Sequence, residues 1–356
     1  MTSRPGFLRS GGWIVIAALM VTTFAFAYYA ATLIRGQGLR AVGDGQNVES
    51  YGFSLEPCLV RRDRVVASGM PRDGLAALVD PAVWSVGQAD AASATRAKFL
   101  VAGDRVIGVR LGGQTRAYPL RLLVWHEVIN DTLAGVPIAV TYNPLCDSAV
   151  AFRRTLGARA LVFGVSGLLY ESNLLMYDRQ REGVRPSLWS QLLFKAVCGP
   201  AAAAGAALEV LPINVQRWAD WRRDNPDTTV LAPDPRLSEK YSSDPYTSYF
   251  GSDALRFPVQ PLPSPAPYPL KTSLVALGGP RGWTAFPFPV LAAAHDVPAK
   301  APWAGLGEAL SYLPEGGTVA VALDRLPPGT GVVYASYFAW YATHHTDTTW
   351  LEPVAP

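Results

Sequence analysis

Clusters of glycine and proline divide this chain into many short apolar runs, and this division constrains the fold more than any other feature. The 356 residues include 32 glycines and 30 prolines, and 49% of the residues are hydrophobic. The runs have the length of β-strands. Four of them are rich in β-branched or aromatic residues, which favour strands; they are 138–142, 149–153, 161–165 and 174–177. The sequence therefore predicts an α+β fold, mainly antiparallel β with short helices.

A β-hairpin is predicted where residues 106–111 and 116–120 flank Gly112 and Gly113, because glycine accepts the positive φ of a tight turn. Helical spacing follows over residues 122–130. Residues 215–223 predict a second short helix that ends before Asn225-Pro226.

Part of this pattern recurs further along the chain. The order Leu-Gly-Gly, Ala-aromatic-Pro, leucine and His-acid-Val occurs at 111–128 and again at 277–297. We interpret it as a diverged internal duplication, and a chance likeness of two hairpins is the alternative.

The apolar run at residues 12–34 is long enough for a transmembrane helix, which needs about 20 residues. Arg4 and Arg9 precede it, so we expect a single-pass protein with residues 1–11 in the cytoplasm and the C-terminal domain in the periplasm or outside the cell. A cleaved signal peptide is the alternative, since Ala25-Phe26-Ala27 has the form of a cleavage site. Under both interpretations the rest of the chain is exported from the cytoplasm.

Composition divides the exported part into segments. Residues 35–55 are a Gly-rich, polar tether, and a Pro-rich connection at 257–269 separates two halves. We expect the main half at 56–256 and a second, degenerate half at 270–356 that packs on the first.

Charge and cysteine content restrict the partners and the chemistry. The formal net charge is +3, and residues 1–40 contain four arginines and no acids, so the remainder is close to neutral. No nucleic acid partner is implied. Cys58, Cys146 and Cys198 allow one disulfide in any of three pairings in an oxidising compartment, with one thiol left over.

Reactive side chains collect in the central blocks, between residues 117 and 191. His126, Glu127 and Cys146 are the candidate catalytic residues. Imidazole and thiolate are usual ligands of zinc or copper, so His126 and Cys146 are also candidate metal ligands. The alternative is a buried polar network around His126, with Cys146 as a small core residue.

A second set of residues in these blocks suits a ligand pocket, because aromatic and amide side chains combine apolar surface with hydrogen-bonding groups. The set is Tyr142, Asn143, Tyr170, Asn173, Tyr177, Asp178, Arg179, Trp189 and Gln191. Asp178 is the nearest partner in sequence for Arg179. P-loop, GxGxxG, HExxH and GxSxG patterns are absent from the sequence.

At these blocks the chain resembles the bacterial family known as domain of unknown function 3179. The likeness covers roughly residues 55–290 and includes the ordered blocks RAYPL, HEVIND, GVPIAVTY, NPLC, FGVSGLLYESNLLMYDRQ, LWSQ and DPY. It implies an exported or membrane-anchored bacterial protein and no particular reaction. Family members often have a CPLC pair, whereas Asn143 stands at the first of these cysteine positions here, which removes a two-thiolate site.

Three functions are compatible with these features. The first is a metal-binding or redox domain, or an enzyme, that uses His126, Glu127 and Cys146. The second is a non-catalytic module that binds a small molecule or a membrane-protein partner. The third is a structural accessory of a membrane complex. The first depends on the imidazole of His126 and the sulfur of Cys146 lying close together.

Overall fold

Short β-strands dominate the structure. The computed structural model describes residues 42–94, 98–296 and 305–351. The strands are β1 (Val65–Ala67), β2 (Leu78–Val79), β3 (Val83–Ser85), β4 (Arg105–Leu111), β5 (Gln114–Pro119), β6 (Val128–Leu133), β7 (Val136–Asn143), β8 (Ser148–Arg153), β9 (Thr155–Leu156), β10 (Arg159–Ala160), β11 (Phe163–Tyr170), β12 (Asn173–Asp178), β13 (Leu188–Ser190), β14 (Lys195–Cys198), β15 (Glu209–Leu211), β16 (Ile213–Arg217), β17 (Thr229–Leu231), β18 (Ser273–Gly279), β19 (Gly282–Pro287), β20 (Leu310–Leu313), β21 (Thr318–Val321), β22 (Gly331–Ser336) and β23 (Thr348–Trp350).

The helices are short and lie between strands. The α-helices are Val86–Ser93, Leu120–Leu123, Pro200–Ala203, Trp218–Asp224, Ser238–Tyr241, Thr247–Phe250, Phe288–Asp296 and Tyr337–His344. Single turns of 3-10 helix cover Val48–Tyr51, Arg62–Arg64, Pro235–Leu237, Gly305–Ala309, Pro314–Gly316 and Leu323–Arg325. The predicted transmembrane span at 12–34 lies outside the described residues. Within the described ranges, no helix has the length and apolar character needed to span a bilayer.

Three sheets and a two-stranded ribbon, β9–β10, contain the strands. Their orders are β1-β11-β12-β13-β14 in the five-stranded sheet, β20-β21-β16-β4-β5-β17-β3 in the seven-stranded sheet, and β2-β6-β7-β8-β22-β18-β19-β23 in the nine-stranded sheet, with β15 paired to β8. Most pairs are antiparallel, and β2–β6, β5–β17 and β19–β23 are parallel. The prediction of a mainly antiparallel fold with short helices is confirmed.

The nine-stranded sheet is the middle layer, because alternate residues of its strands enter two different hydrophobic clusters. Ala139 of β7 packs in a cluster with side chains of β11 and β12 from the five-stranded sheet. Its neighbours Ile138 and Val140 pack in a cluster with side chains of β4 and β16 from the seven-stranded sheet. Successive side chains of a strand point to opposite faces, so a strand buried on both faces is apolar along most of its length.

The predicted hairpin is confirmed, but the helix predicted after it is shorter. Gly112 (φ 54°) and Gly113 (φ 78°) form the turn between β4 and β5. The helix covers only Leu120–Leu123, and the second part of the expected helix, from Val128 onward, is strand β6. Val128 and Ile129 are β-branched and pair with β7, so sheet pairing outweighs the helical spacing.

The second predicted helix is also shorter than expected. It begins at Trp218, whereas the residues before it form β16 in the interior of the seven-stranded sheet. The predicted stop at Asn225 is confirmed, since the helix ends at Asp224.

Both copies of the predicted repeat have the same order of elements, namely two antiparallel strands followed by a helix. The first hairpin, β4–β5, belongs to the seven-stranded sheet, and the second, β18–β19, belongs to the nine-stranded sheet. The two predicted halves both contribute strands to the nine-stranded sheet. Their common origin and the boundaries at 256 and 270 stay predictions.

One of the three cysteine pairings left open by the sequence is present. Cys58 and Cys198 form a disulfide, and Cys146 is a free, buried thiol. The disulfide attaches the segment before β1 to the end of β14. In the same segment Tyr51 is fully buried, and its hydroxyl donates a hydrogen bond to the Met70 carbonyl (2.6 Å).

We expect Gly167→Ala to destabilise the fold more than Gly183→Ala. Both glycines have a left-handed backbone (φ 78° and 81°), and alanine there costs about 1 kcal/mol. A Cβ at Gly167 would also lie 2.6 Å from the Met70 carbonyl oxygen and the Tyr51 ring, whereas at Gly183 it would meet no described atom within 4 Å. This crowding adds about 1–3 kcal/mol, which urea unfolding measures. Equal losses in the two variants would contradict the packing at Gly167.

Candidate functional site

Glu127 lies in a tight connection between the Leu120–Leu123 helix and β6. Its backbone is left-handed (φ 56°), which is uncommon for a residue other than glycine. Its N–H donates to the Leu123 carbonyl (2.7 Å), and its carbonyl accepts from the Tyr142 N–H (2.9 Å). These two bonds fix the backbone from which the side chain projects. Strained backbone of this kind often occurs at functional sites.

The NPLC block forms a turn between β7 and β8 next to Glu127. Asn143 ends β7, and its side-chain oxygen accepts from the Cys146 N–H (3.2 Å). Its Nδ2 donates to Oε1 of Glu127 at 3.3 Å. The Asn143 amide therefore connects the carboxyl group of the HEVIND block to the turn that carries the free thiol.

Glu127 is the most weakly paired of the buried carboxyl groups that the structure describes. Its side chain receives only the long bond from Asn143, and Oε2 has no hydrogen-bond partner in the described ranges. The other buried acids each accept at least two hydrogen bonds: Asp131 from Arg116 and Tyr118, Glu171 from Arg64 and the Gln260 N–H, Asp178 from the Ser187 N–H and Gln180, and Asp220 from Arg217 and Arg223.

Burial raises the pKa of Glu127 to about 7, and the hydrogen bond from Asn143 opposes this effect only weakly. The pKa of this carboxyl group therefore lies near neutral pH. A perturbed carboxyl group in a cleft is a recognised mark of a functional site.

Glu127 lines a cleft of about 70 Å³. Leu145, Val165, Leu169 and Leu174 give the cleft apolar walls. Its polar lining includes Ser68, Tyr246 and Arg256, and the backbone approaches closely at Gly167. The HEVIND, NPLC, FGVSG and DPY blocks, which are far apart in sequence, thus converge on one cavity.

Cys146 lies next to this centre but has a different environment. Its side chain is fully buried, and Sγ donates to the Ser172 carbonyl oxygen (3.2 Å). Burial strongly raises the pKa of the thiol, so the sulfur is protonated at neutral pH. A thiol in this state is a poor nucleophile and a poor metal ligand.

The structure does not support the predicted pairing of His126 with Cys146. Nδ1 of His126 lies 2.7 Å from the Ala76 carbonyl oxygen, and Nε2 lies 2.6 Å from the Tyr241 hydroxyl. A carbonyl oxygen only accepts, so Nδ1 carries the proton and Nε2 accepts from Tyr241. Burial lowers the pKa of His126, which favours this neutral form. Both ring nitrogens are thus engaged away from the sulfur.

The predicted metal site has no further support in the described ranges, which contain no group of three or more His, Cys, Asp or Glu side chains placed to hold a metal ion. The contacts of His126 with Ala76 and Tyr241 agree with the alternative interpretation of the sequence, a buried polar network around His126.

Two of the predicted ligand-binding residues belong to a closed polar network. Gln191 accepts from Ser148 (2.7 Å) and Asn173 (2.8 Å), and its amide donates to Thr141 (3.0 Å). These groups are buried and hydrogen-bonded to one another. They join β7, β8 and β12 and leave few free groups for a ligand.

The remaining predicted residues make contacts within the fold. Arg179 pairs with Asp73 (3.1 Å) and not with Asp178, its neighbour in sequence. The others are engaged as follows: Tyr142 donates to Asp147, Tyr177 donates to Asp73, Asp178 accepts from the Ser187 N–H, Trp189 packs edge-on against Phe163, and half-buried Tyr170 ends β11. Of the predicted ligand-binding set, Asn143 hydrogen-bonds to the Glu127 side chain and Tyr142 to its backbone carbonyl.

Sequence reasoning missed Tyr246 and Arg256, which line the cleft from a segment more than 100 residues beyond Glu127. The only signal for Tyr246 was the DPY block, which was noted for its resemblance and not as a site. Arg256 lies in an ordinary loop sequence, so no pattern marked it.

These features define a mainly antiparallel β protein with a small cleft over one weakly paired, buried carboxyl group. A family model matches residues 72–349, and the chain belongs to the family described as Protein of unknown function (DUF3179). The resemblance of the central blocks is thereby confirmed. Comparisons with curated proteins and with solved structures gave no match.

We expect Glu127→Gln to become more stable, relative to the wild type, as the pH rises. Glu127 has a raised pKa of about 7 in the folded chain and an ordinary value of 4.5 when unfolded. Below pH 4.5 both states hold the proton. Between 4.5 and about 7 only the unfolded state releases it, so wild-type stability falls by up to about 3 kcal/mol.

Glutamine cannot ionise, so the difference between the two unfolding free energies should grow over this range and then level off. Exposed Glu239→Gln is the control for the change in net charge. A difference that stays constant from pH 4.5 to 8 would contradict the assignment.

We expect the native chain not to react with a disulfide reagent such as DTNB on the time scale on which free cysteine reacts completely, because Cys146 is buried and protonated. Denatured without reductant, the chain should release one equivalent of chromophore, and after reduction three thiols should be present. A fast reaction of the folded protein would show a reactive thiolate instead.

Proposed function

We propose that this protein is a binding module that takes a small polar molecule in the cleft over Glu127. The observation that carries the proposal is the convergence of separate sequence blocks on one cavity lined by the buried, weakly paired carboxyl group of Glu127. A purely structural carboxyl group would resemble the other buried acids, which have strong partners.

Three groups in the cleft are available to a ligand. Oε2 of Glu127 and the hydroxyl of Tyr246 have no hydrogen-bond partner in the described part of the chain, and the Arg256 guanidinium forms no ion pair there. Oε2 of Glu127 can accept a hydrogen bond, the Tyr246 hydroxyl can donate one, and the Arg256 guanidinium can bind a negatively charged group.

The size of the cleft restricts the ligand. Its volume is about 70 Å³, roughly half that of the ~150 Å³ engineered cavity that accepts benzene. A molecule, or a terminal group, of a few non-hydrogen atoms fits this space.

Acid–base catalysis is a second candidate function, and the pKa of Glu127 favours it. A carboxyl group with a pKa of about 7 is matched to proton transfer at neutral pH. The residue that binds the ligand would then also move its proton. Chemistry through the Cys146 thiol has less support, because the sulfur is buried and protonated.

We further propose that the domain is exported and anchored in the bacterial cytoplasmic membrane by residues 12–34. The apolar run supports this location. The Cys58–Cys198 disulfide supports it independently, since disulfides persist mainly in oxidising compartments.

We expect small polar probes to perturb the methyl groups of Leu145, Val165, Leu169 and Leu174, which line the cleft. The measurement is methyl NMR of the full-length chain with glycolate, glycolamide, acetate and methylammonium as separate probes. Val319 and Val321, in the seven-stranded sheet, are the control methyls and should not shift. Absence of any shift in the cleft with all four probes would contradict the proposed function.

A further inference from the structure

We infer that the ligand of the cleft is a small monocarboxylate, whose carboxylate pairs with Arg256 and whose uncharged polar end hydrogen-bonds to Glu127. This inference rests on the proposed function and names the ligand class for the same cleft.

Arg256 provides the cationic end of the site. Its guanidinium lies over the rings of Tyr246 (5.4 Å) and Tyr249 (5.3 Å), and within the described ranges it has no carboxylate partner. Arg64, by contrast, makes two hydrogen bonds to buried Glu171. The rings hold the guanidinium in place by cation–π contact, while its N–H donors stay free for a planar carboxylate.

Glu127 provides the second polar group of the site. The side chain is only 7% exposed, and the walls beside it are leucine and valine side chains without charge. A second negative charge at this end would face the carboxyl group of Glu127 without a cation to balance it. A hydroxyl or amide group can instead donate a hydrogen bond to Oε2 of the ionised group or accept one from the neutral acid.

Binding of a carboxylate is therefore coupled to the proton on Glu127. The Tyr246 hydroxyl and the Cys146 thiol interact electrostatically with Glu127, and both are protonated at neutral pH because burial raises pKa values that are already basic. His126, the preceding residue, is neutral because burial lowers its pKa. Arg256 is the cation at the same cleft. An anion binds best to the protonated form of Glu127, so affinity should fall as the pH rises above about 7, approaching tenfold per pH unit.

The test is a calorimetric titration of the full-length chain at pH 6, 7 and 8 with glycolate and its uncharged isostere glycolamide. We expect glycolate to bind at least tenfold more tightly than glycolamide at pH 6 and to lose affinity by pH 8. Arg256→Gln should weaken glycolate at least tenfold, whereas Arg256→Lys should retain part of the affinity. Exposed Arg236→Gln, which changes the same charge elsewhere, should leave glycolate binding unchanged.

In Glu127→Gln, glycolate should bind with little dependence on pH. Equal binding of glycolate and glycolamide, together with an unchanged affinity in Arg256→Gln, would overturn the inference. Methyl shifts in the cleft would still support the proposed function in that case. If no probe shifts those methyls and no heat of binding is measured, the cleft holds water only and both proposals fail. The isostere comparison uses the wild-type chain and so does not depend on the folding of any variant.

Discussion

Burial of the nine-stranded sheet on both faces is the constraint on which the rest of the structure depends. A polar group inside such a layer has no bulk water and must find a partner within the protein. The Ser148, Asn173 and Gln191 network meets this requirement, as do the buried acids that accept two or more bonds. Glu127 meets it only in part, with one 3.3 Å bond. The raised pKa of this carboxyl group follows from its burial at the start of β6, inside this layer.

Local patterns in the sequence predicted the local structure well. The Gly112-Gly113 turn is where the sequence predicted it, because the left-handed backbone of such a turn needs glycine. Three of the four predicted strands are present with their ends shifted by at most two residues, whereas the prediction at 161–165 covers only the start of β11. The prediction of a helix at 122–130 is wrong in its second half, because those residues begin β6 and pair with β7. Local spacing in the sequence does not reveal pairing with another strand. The three-layer arrangement depends on such long-range pairings throughout.

The site was predicted in part. Glu127 and Asn143 were named and do meet, because β6 and β7 are adjacent antiparallel strands. His126 and Cys146 were expected to act together on the basis of their side-chain chemistry, but both ring nitrogens of His126 are engaged, by the Ala76 carbonyl and the Tyr241 hydroxyl. Arg256 could not be found from sequence, since only the folded chain brings its loop to the cleft.

The proposed function and the inferred ligand both depend on Glu127 ionising near neutral pH inside the cleft. The most direct measurement is a ¹³C NMR titration of the side-chain carboxyl carbons in glutamate-labelled protein, with the Glu127 signal assigned by its absence in Glu127→Gln. We expect a midpoint at about pH 7. A midpoint near 4.5, the ordinary value for glutamate, would contradict it.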